Sequence, residues 1–330
     1  MNTMLKQLLE THGPSGFEDQ VRDLIYSEIE PFVDSISMDS LGNLIAVKHG
    51  QGDGLKIMIA AHMDEIGLMV SHISKEGFVR FTNIGGVSPL TLAGNRVQFA
   101  NGTLGVVFCE GKMLPKDALP LEKHYIDVGA SSKDDCPVKV GDAASFIREF
   151  VAPGNRLIAK SMDDRIGCYV AIETLKRLKE TPHEVYFVFS VQEEVGTRGA
   201  QAAANGILPD IGIAIDVTAT GDLPESRTLA VDLGKGPAIK VKDTGMIAHT
   251  GLVRAMRSCA EKEEIPYQLE VLEFGSTDAR SMQIAGPGSA AGCVSIPCRF
   301  VHSQSETVDA SDVENAIKLL VSLLSEKIDL

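Results

Sequence analysis

The chain has no tryptophan and only five tyrosines in 330 residues, which leaves few flat platforms on which a polysaccharide could stack. Positive charge is also short: 31 Lys and Arg stand against 45 Asp and Glu, a net charge of -14. That balance repels phosphate backbones and anionic lipid, so nucleic acid and membrane surfaces are not expected partners. Six cysteines, Cys109, Cys136, Cys168, Cys259, Cys293 and Cys298, include no C-x-x-C pair and are too sparse for a disulfide-built secreted domain. No apolar run approaches a membrane span. The amphipathic N-terminus lacks the apolar core and small-residue cleavage site of a signal peptide, so a cytoplasmic protein is expected. Asn83-Ile-Gly-Gly-Val and Ala285-Gly-Pro-Gly match neither a phosphate loop nor a dinucleotide fingerprint and read as turns. A Gly-x-Ser-x-Gly nucleophile elbow is missing as well.

What is present suits a folded enzyme: 44% hydrophobic and 23% charged residues, with enough length for one large or two smaller domains. Leu5, Leu8 and Leu9, then Val21, Leu24, Ile25 and Ile29, mark two helices separated by a Gly13-Pro14-Ser15-Gly16 turn. The segments 43–48 and 55–62 read as strands, the second apolar enough to be covered on both faces. From Gly67 to Val151 the texture changes to short alternating strands punctuated by Gly and Pro, without a helical pattern. Beyond Ala152-Pro153-Gly154-Asn155 helices and strands alternate to the C-terminus. The expected architecture is therefore α/β: a mostly parallel mixed sheet flanked by helices, with a small inserted β-barrel or sandwich. The α/β domain is expected to be discontinuous, 1–66 and 152–330, and the insert to span 67–151.

Ligands of such sheets gather at the carboxyl ends of strands, and five acidic or histidine-bearing peptides fall there. They are Ala61-His62-Met63-Asp64-Glu65, Met162-Asp163-Asp164-Arg165, Gln192-Glu193-Glu194, Ile215-Asp216 and Phe300-Val301-His302. Glu193 and Glu194 point apart on extended backbone and repel each other; one suits a metal ligand and the other a general base. On a strand end His62 and Asp64 share a face, so Asp64 can bond the imidazole nitrogen that faces away from a metal. Asp163 and Asp164 precede an amphipathic helix and also suit helix capping. Asp216 ends an apolar strand, where a carboxylate needs a cation or several donors. Imidazoles and carboxylates together suit a pair of zinc- or cobalt-like ions, whereas calcium would favour oxygen ligands alone.

His62-Met-Asp64-Glu-Ile-Gly, Lys160-Ser-Met-Asp163-Asp164-Arg-Ile-Gly, Gln192-Glu193-Glu194-Val-Gly, Ile215-Asp216-Val and His302-Ser, in that order, resemble the M42 family of metallo-aminopeptidases. Gly13-Pro-Ser-Gly-Phe-Glu, Gly234-Lys-Gly-Pro and Gly275-Ser-Thr-Asp278 extend the resemblance over nearly the whole chain. It implies a zinc-peptidase-like fold and two divalent ions per subunit. Asp163 would bridge the ions, Glu194 and His302 completing one site and His62 and Asp216 the other. Glu193 becomes the general base, Asp64 orients His62, and the Asp163–Asp164 peptide is cis. The resemblance further implies peptide substrates, cleavage at the free N-terminus by a metal-activated water, and a homo-dodecamer assembled through the inserted β domain.

Three other readings remain open at this level. An M20-like deacylase or carboxypeptidase would share the metal chemistry, but its extra domain follows the acidic pair instead of lying between His62 and Asp163. An endoglucanase-type glycosidase would use paired carboxylates, against the scarcity of stacking aromatics. A metal-stabilised scaffold without catalysis would make Glu193 dispensable. The preferred N-terminal residue is not legible, although the Gly275–Asp278 loop is a candidate wall of the side-chain pocket.

Overall fold

The structure is a computed structural model describing residues 3–111 and 119–330. Helices α1 (Thr3–Glu10) and α2 (Asp19–Ile29) lead into strands β1 (Ser35–Met38), β2 (Leu44–Lys48) and β3 (Lys56–His62). Then come β4 (Gly67–Ile73), β5 (Val79–Ile84), β6 (Arg96–Phe99), β7 (Leu104–Cys109), β8 (His124–Asp127) and β9 (Ala143–Phe146). These six close into a barrel in the order β4-β5-β8-β7-β6-β9. Alternation explains the closure, since Leu68, Val70, Val79, Phe81, Val97, Phe99, Val107 and Ile126 all turn inward to one core. No α-helix occurs among the described residues of this segment.

The chain then returns through β10 (Arg156–Ala159), α3 (Met162–Arg177), β11 (Glu184–Ser190), α4 (Arg198–Ile207), β12 (Ile211–Ala219) and β13 (Ala238–Lys242). It finishes with α5 (Thr250–Lys262), β14 (Gln268–Val271), α6 (Ala279–Gln283), β15 (Ala290–Arg299), β16 (Glu306–Asp309) and α7 (Ala310–Ser325). The large sheet runs β1-β2-β11-β3-β12-β15-β13-β14, with β16 joining β10 to β15. Its centre, β11-β3-β12-β15, is parallel. Antiparallel pairing is confined to the flanks, at β1·β2, β2·β11, β13·β15, β15·β16 and β10·β16. The expected mixed sheet is thus parallel where both faces are covered. On β3, Ile57, Ile59 and Ala61 join the core beneath α1, α3 and α7, while Met58 and Ala60 join the core beneath α4 and α6.

Register positions the site. Ser190 lies beside His62 across β11·β3, and Ala214 lies beside Ala60 across β12·β3. Two residues further on, Asp216 and His62 stand at one height on one side of the sheet. Beneath them Arg165, fully buried, donates to the carbonyls of Met63, Leu8, Thr11 and Gly13, tying α1 and its turn to the end of β3. Lys160 makes a buried ion pair with Glu65 at 2.7 Å, and Ser161 Oγ donates to the same carboxylate at 2.6 Å. The segment entering α3 is therefore fastened to the segment leaving β3.

Candidate metal centre

His62 ends β3, Asp163 stands at the irregular start of α3, Glu193 and Glu194 follow β11, Asp216 lies in β12, and His302 follows β15. The fold gathers them. One oxygen of Asp163 lies 3.0 Å from His62 Nε2 and the other 3.2 Å from His302 Nε2. Glu194 Oε2 is 3.3 Å from the same His302 nitrogen. Asp163, Glu194 and His302 offer ligand atoms within 4.8 Å of one another, and so do His62, Asp164 and Asp216. The second group contains Asp164, which the residue-by-residue resemblance left out. Asp164 nonetheless spends its oxygens on backbone, accepting from His62 N at 3.2 Å and Gly167 N at 3.2 Å. It is the cap of the regular part of α3, while its neighbour faces the histidines. The peptide between the two is cis.

Asp64 does more than face an imidazole. Its Oδ1 is 3.4 Å from His62 Nδ1, nearer to which, at 3.1 Å, is the Asp64 carbonyl. The carboxylate also accepts from Glu193 N at 2.9 Å, Glu194 N at 3.1 Å and Ser15 Oγ at 2.6 Å. It fixes the acidic pair by its main chain, and the Gly13–Glu18 turn takes part through Ser15. Glu18 adds a further clamp, accepting from Gln192 N at 3.1 Å.

Sequence reasoning missed two contributors. Glu306 accepts the N–H groups of both Asp163 and His302; a lone Glu at the head of a short strand carries no sequence signal. Gly85 and Gly86, read as a turn, bring the barrel onto the site. A Cβ at Gly86 would stand 2.3 Å from His302 Nδ1, and one at Gly85 would stand 2.8 Å from Glu194 Oε2. The clue was the Gly-Gly pair itself, since glycine also marks close approach. Gly86→Ala should displace the imidazole and lower kcat/KM on peptide substrates roughly 10²-fold, as ångström-scale misplacement does. Steady-state kinetics with a check of native fold by circular dichroism tests this; wild-type kcat/KM would show that the barrel loop does not position His302.

The donor set fits cations that the two imidazoles cannot replace. Burial pushes Asp216 well above the usual carboxylate range, with the charge of Asp163 adding to it. Burial likewise drives up Asp164 and Glu193, raises Glu194, and lifts Asp278 to about 6 and Glu306 to about 8. Asp163 and Asp64 are held low: burial opposes ionisation in both, but bonds from His302 and His62 outweigh it at Asp163, and bonds from His62, Ser15 and the Glu193 N–H outweigh it at Asp64. Reciprocally, burial disfavours charge on His302, yet its bonds to Asp163 and Glu194 raise it to about 12. So many buried carboxyls around two imidazoles exceed the positive charge that Lys240 brings to the cleft, a deficit that divalent ions with mixed N and O ligands would fill. Beside them opens a cleft of about 510 Å3, bounded by Gly86, Glu193, Asp216, Leu272, Phe274 and His302. The Gly275–Thr277 loop forms part of its wall.

An acidic, histidine-bearing cleft at the carboxyl ends of a central parallel sheet, closed on one side by a barrel loop, defines an α/β protein with a ligand site suited to metal ions. The chain belongs to the M42 peptidase family, residues 42–319 matching M42 glutamyl aminopeptidase, as its motifs suggested, and it is an enzyme of that family. It is 48% identical to a putative aminopeptidase of Acetivibrio thermocellus over 98% of each chain. An aminopeptidase from Desulfurococcus kamchatkensis superposes with a TM-score of 0.94 at 42% identity, covering 98% of this chain and 94% of that one. The TET1 peptidase of Pyrococcus horikoshii superposes with a TM-score of 0.89 at 36% identity over 98% of each chain, and is described as assembling into a tetrahedron or a large octahedral shell.

Proposed function

We propose that the protein is a dimetal aminopeptidase that removes N-terminal residues from peptides. The observation carrying this reading is the Asp163 carboxylate, which offers one oxygen toward each histidine. Asp163 would be shared between two divalent ions, zinc or cobalt by ligand type, with Glu194 and His302 on one and His62 and Asp216 on the other. When bound, such ions polarise the scissile carbonyl and acidify water. Glu193 lines the cleft and belongs to neither ligand group. It takes the proton of the attacking water and returns it to the departing amine. Asp64 keeps Glu193 and Glu194 at fixed height by their N–H groups.

The barrel is proposed to serve assembly into a homo-dodecamer. Leu104 and Val106 on β7 face outward, 58% and 44% exposed, and a tetrahedral shell built from one chain type takes twelve copies. Among the described residues no helix is long and apolar enough to cross a membrane. Six free thiols, four of them buried, suit a reducing cytoplasm.

The test is a panel of aminoacyl-anilides, N-blocked peptides and soluble cellulose presented to metal-loaded and chelator-treated protein. Hydrolysis confined to free N-termini and to the loaded protein is expected. Equal cleavage of blocked and free substrates would sink the aminopeptidase reading, and cleavage of soluble cellulose instead would favour a glycosidase. Native mass spectrometry tests the assembly, which a strict monomer at working concentration contradicts.

A further inference from the structure

Glu306 opens β16 in register with Ala159, the last residue of β10 and the start of the approach to Asp163. On its other side Arg299 of β15 pairs with Thr307, so the loop carrying His302 leaves and returns at the same place. Two segments far apart in sequence begin at this point. The Glu306 side chain between them is buried, 2% exposed. Its Oε1 accepts from His302 N at 2.7 Å and its Oε2 accepts from Asp163 N at 3.0 Å. His302 has φ +61° and Phe300 +63°, a left-handed conformation that non-glycine residues keep only where their surroundings hold it.

We infer that Glu306 is a positioning residue that sets the separation between Asp163 and His302. This rests on the reading above, in which those two side chains hold one ion. Each oxygen of Glu306 already has an N–H donor, so the carboxylate acts on the backbones of the ligands and not as a ligand itself. Asp64 relates in the same way to the N–H groups of Glu193 and Glu194. Two carboxylates thus pin, by main chain, four of the residues around the cleft. A backbone clamp of this kind leaves the imidazole and carboxylate free to meet the ion while removing the slack between the loops that carry them.

The chemistry of the clamp suggests its own test. Glu306→Gln keeps the volume but exchanges one acceptor oxygen for an NH2 group, so one of the two N–H donors loses its partner. Glu306→Ala removes both. Cobalt(II) is titrated against a chelator into both variants, into wild type and into His302→Ala, with visible absorption and circular dichroism recorded. Wild type should take up two equivalents. Glu306→Gln should fold, show an altered cobalt spectrum, and bind about 10- to 100-fold more weakly the equivalent that His302→Ala disturbs, the usual effect of losing an outer partner of a ligand. Wild-type affinities and spectra in both folded variants would overturn the inference while leaving the peptidase reading intact. So would weakening confined to the equivalent that His302→Ala leaves untouched. If both variants fail to fold, Glu306 is a general stability element and the inference falls. A wild-type protein that binds no cobalt would instead remove the metal reading on which the inference stands.

Discussion

Glu193→Gln is expected to leave a folded protein that still loads metal but hydrolyses aminoacyl-anilides about 10²- to 10⁴-fold more slowly in kcat, the range for a lost general base. The substitution is nearly isosteric, and the Glu193 N–H bond to Asp64 Oδ1 does not involve the side chain. Glu193 is outside both ligand groups, whereas its neighbour Glu194 stands 3.3 Å from His302. Loss of turnover with metal retained is therefore the signature of position 193, and loss of metal that of position 194. Burial raises the Glu193 carboxyl well above its ordinary value, and the charges of Asp216, Asp278 and Glu194 add to this against His62. In the metal-free protein a carboxylate so placed is a stronger base than one in water, and nearby bound cations would draw it back toward its ordinary value. Metal analysis beside single-turnover kinetics decides the matter, and unchanged turnover with full metal content would remove Glu193 from the proton path.

Much of this was legible because it is written in local patterns. The apolar run of β3 ends in His62 and that of β12 contains Asp216, so polar residues at the ends of buried strands announced a site. The inserted β segment was visible as a change of period between Gly67 and Val151, while its closure into a barrel was not. Less legible were flanking strands such as β1, with only Ile36 partly covered, and β16, where Glu, Thr and Asp outnumber one Val; burial there comes from tertiary contacts that no period encodes. The supports of the site were hidden for the same reason. Asp64 holds residues 129 and 130 positions away, Glu306 reaches one 143 positions away, and Gly86 matters only because the barrel folds back onto His302. Asp163 and Asp164 illustrate the limit of short motifs. The capping interpretation holds for Asp164, which accepts from Gly167 N, while Asp163 turns to the histidines; sequence alone offered both meanings for the pair.

The larger disruption should come from Asp163→Asn. Among the described ion pairs Asp163 is the only carboxylate that meets both His62 and His302 by Nε2, so under the proposed dimetal reading the amide would weaken both ion sites at once. Peptide hydrolysis is expected to fall to the level of chelator-treated wild type, with metal content below the wild-type stoichiometry. The metal-free protein should also lose stability, by about 3–5 kcal/mol where the buried charges are fully paired, and the pH dependence identifies the cause. Asp163 ionises more readily folded than unfolded, so its contribution is present above about pH 4 and fades as pH falls through its depressed folded value. His302, raised to about 12, contributes fully below about pH 6.5 and loses that contribution as pH rises toward 12. Both contributions are complete only between these limits. Urea unfolding of metal-free wild type and variant should therefore differ most near pH 5 to 6, and the gap should narrow steadily toward pH 10. A gap that stays constant with pH would mean that the charge on the histidines does not stabilise the empty site, and that Asp163 acts there through packing alone.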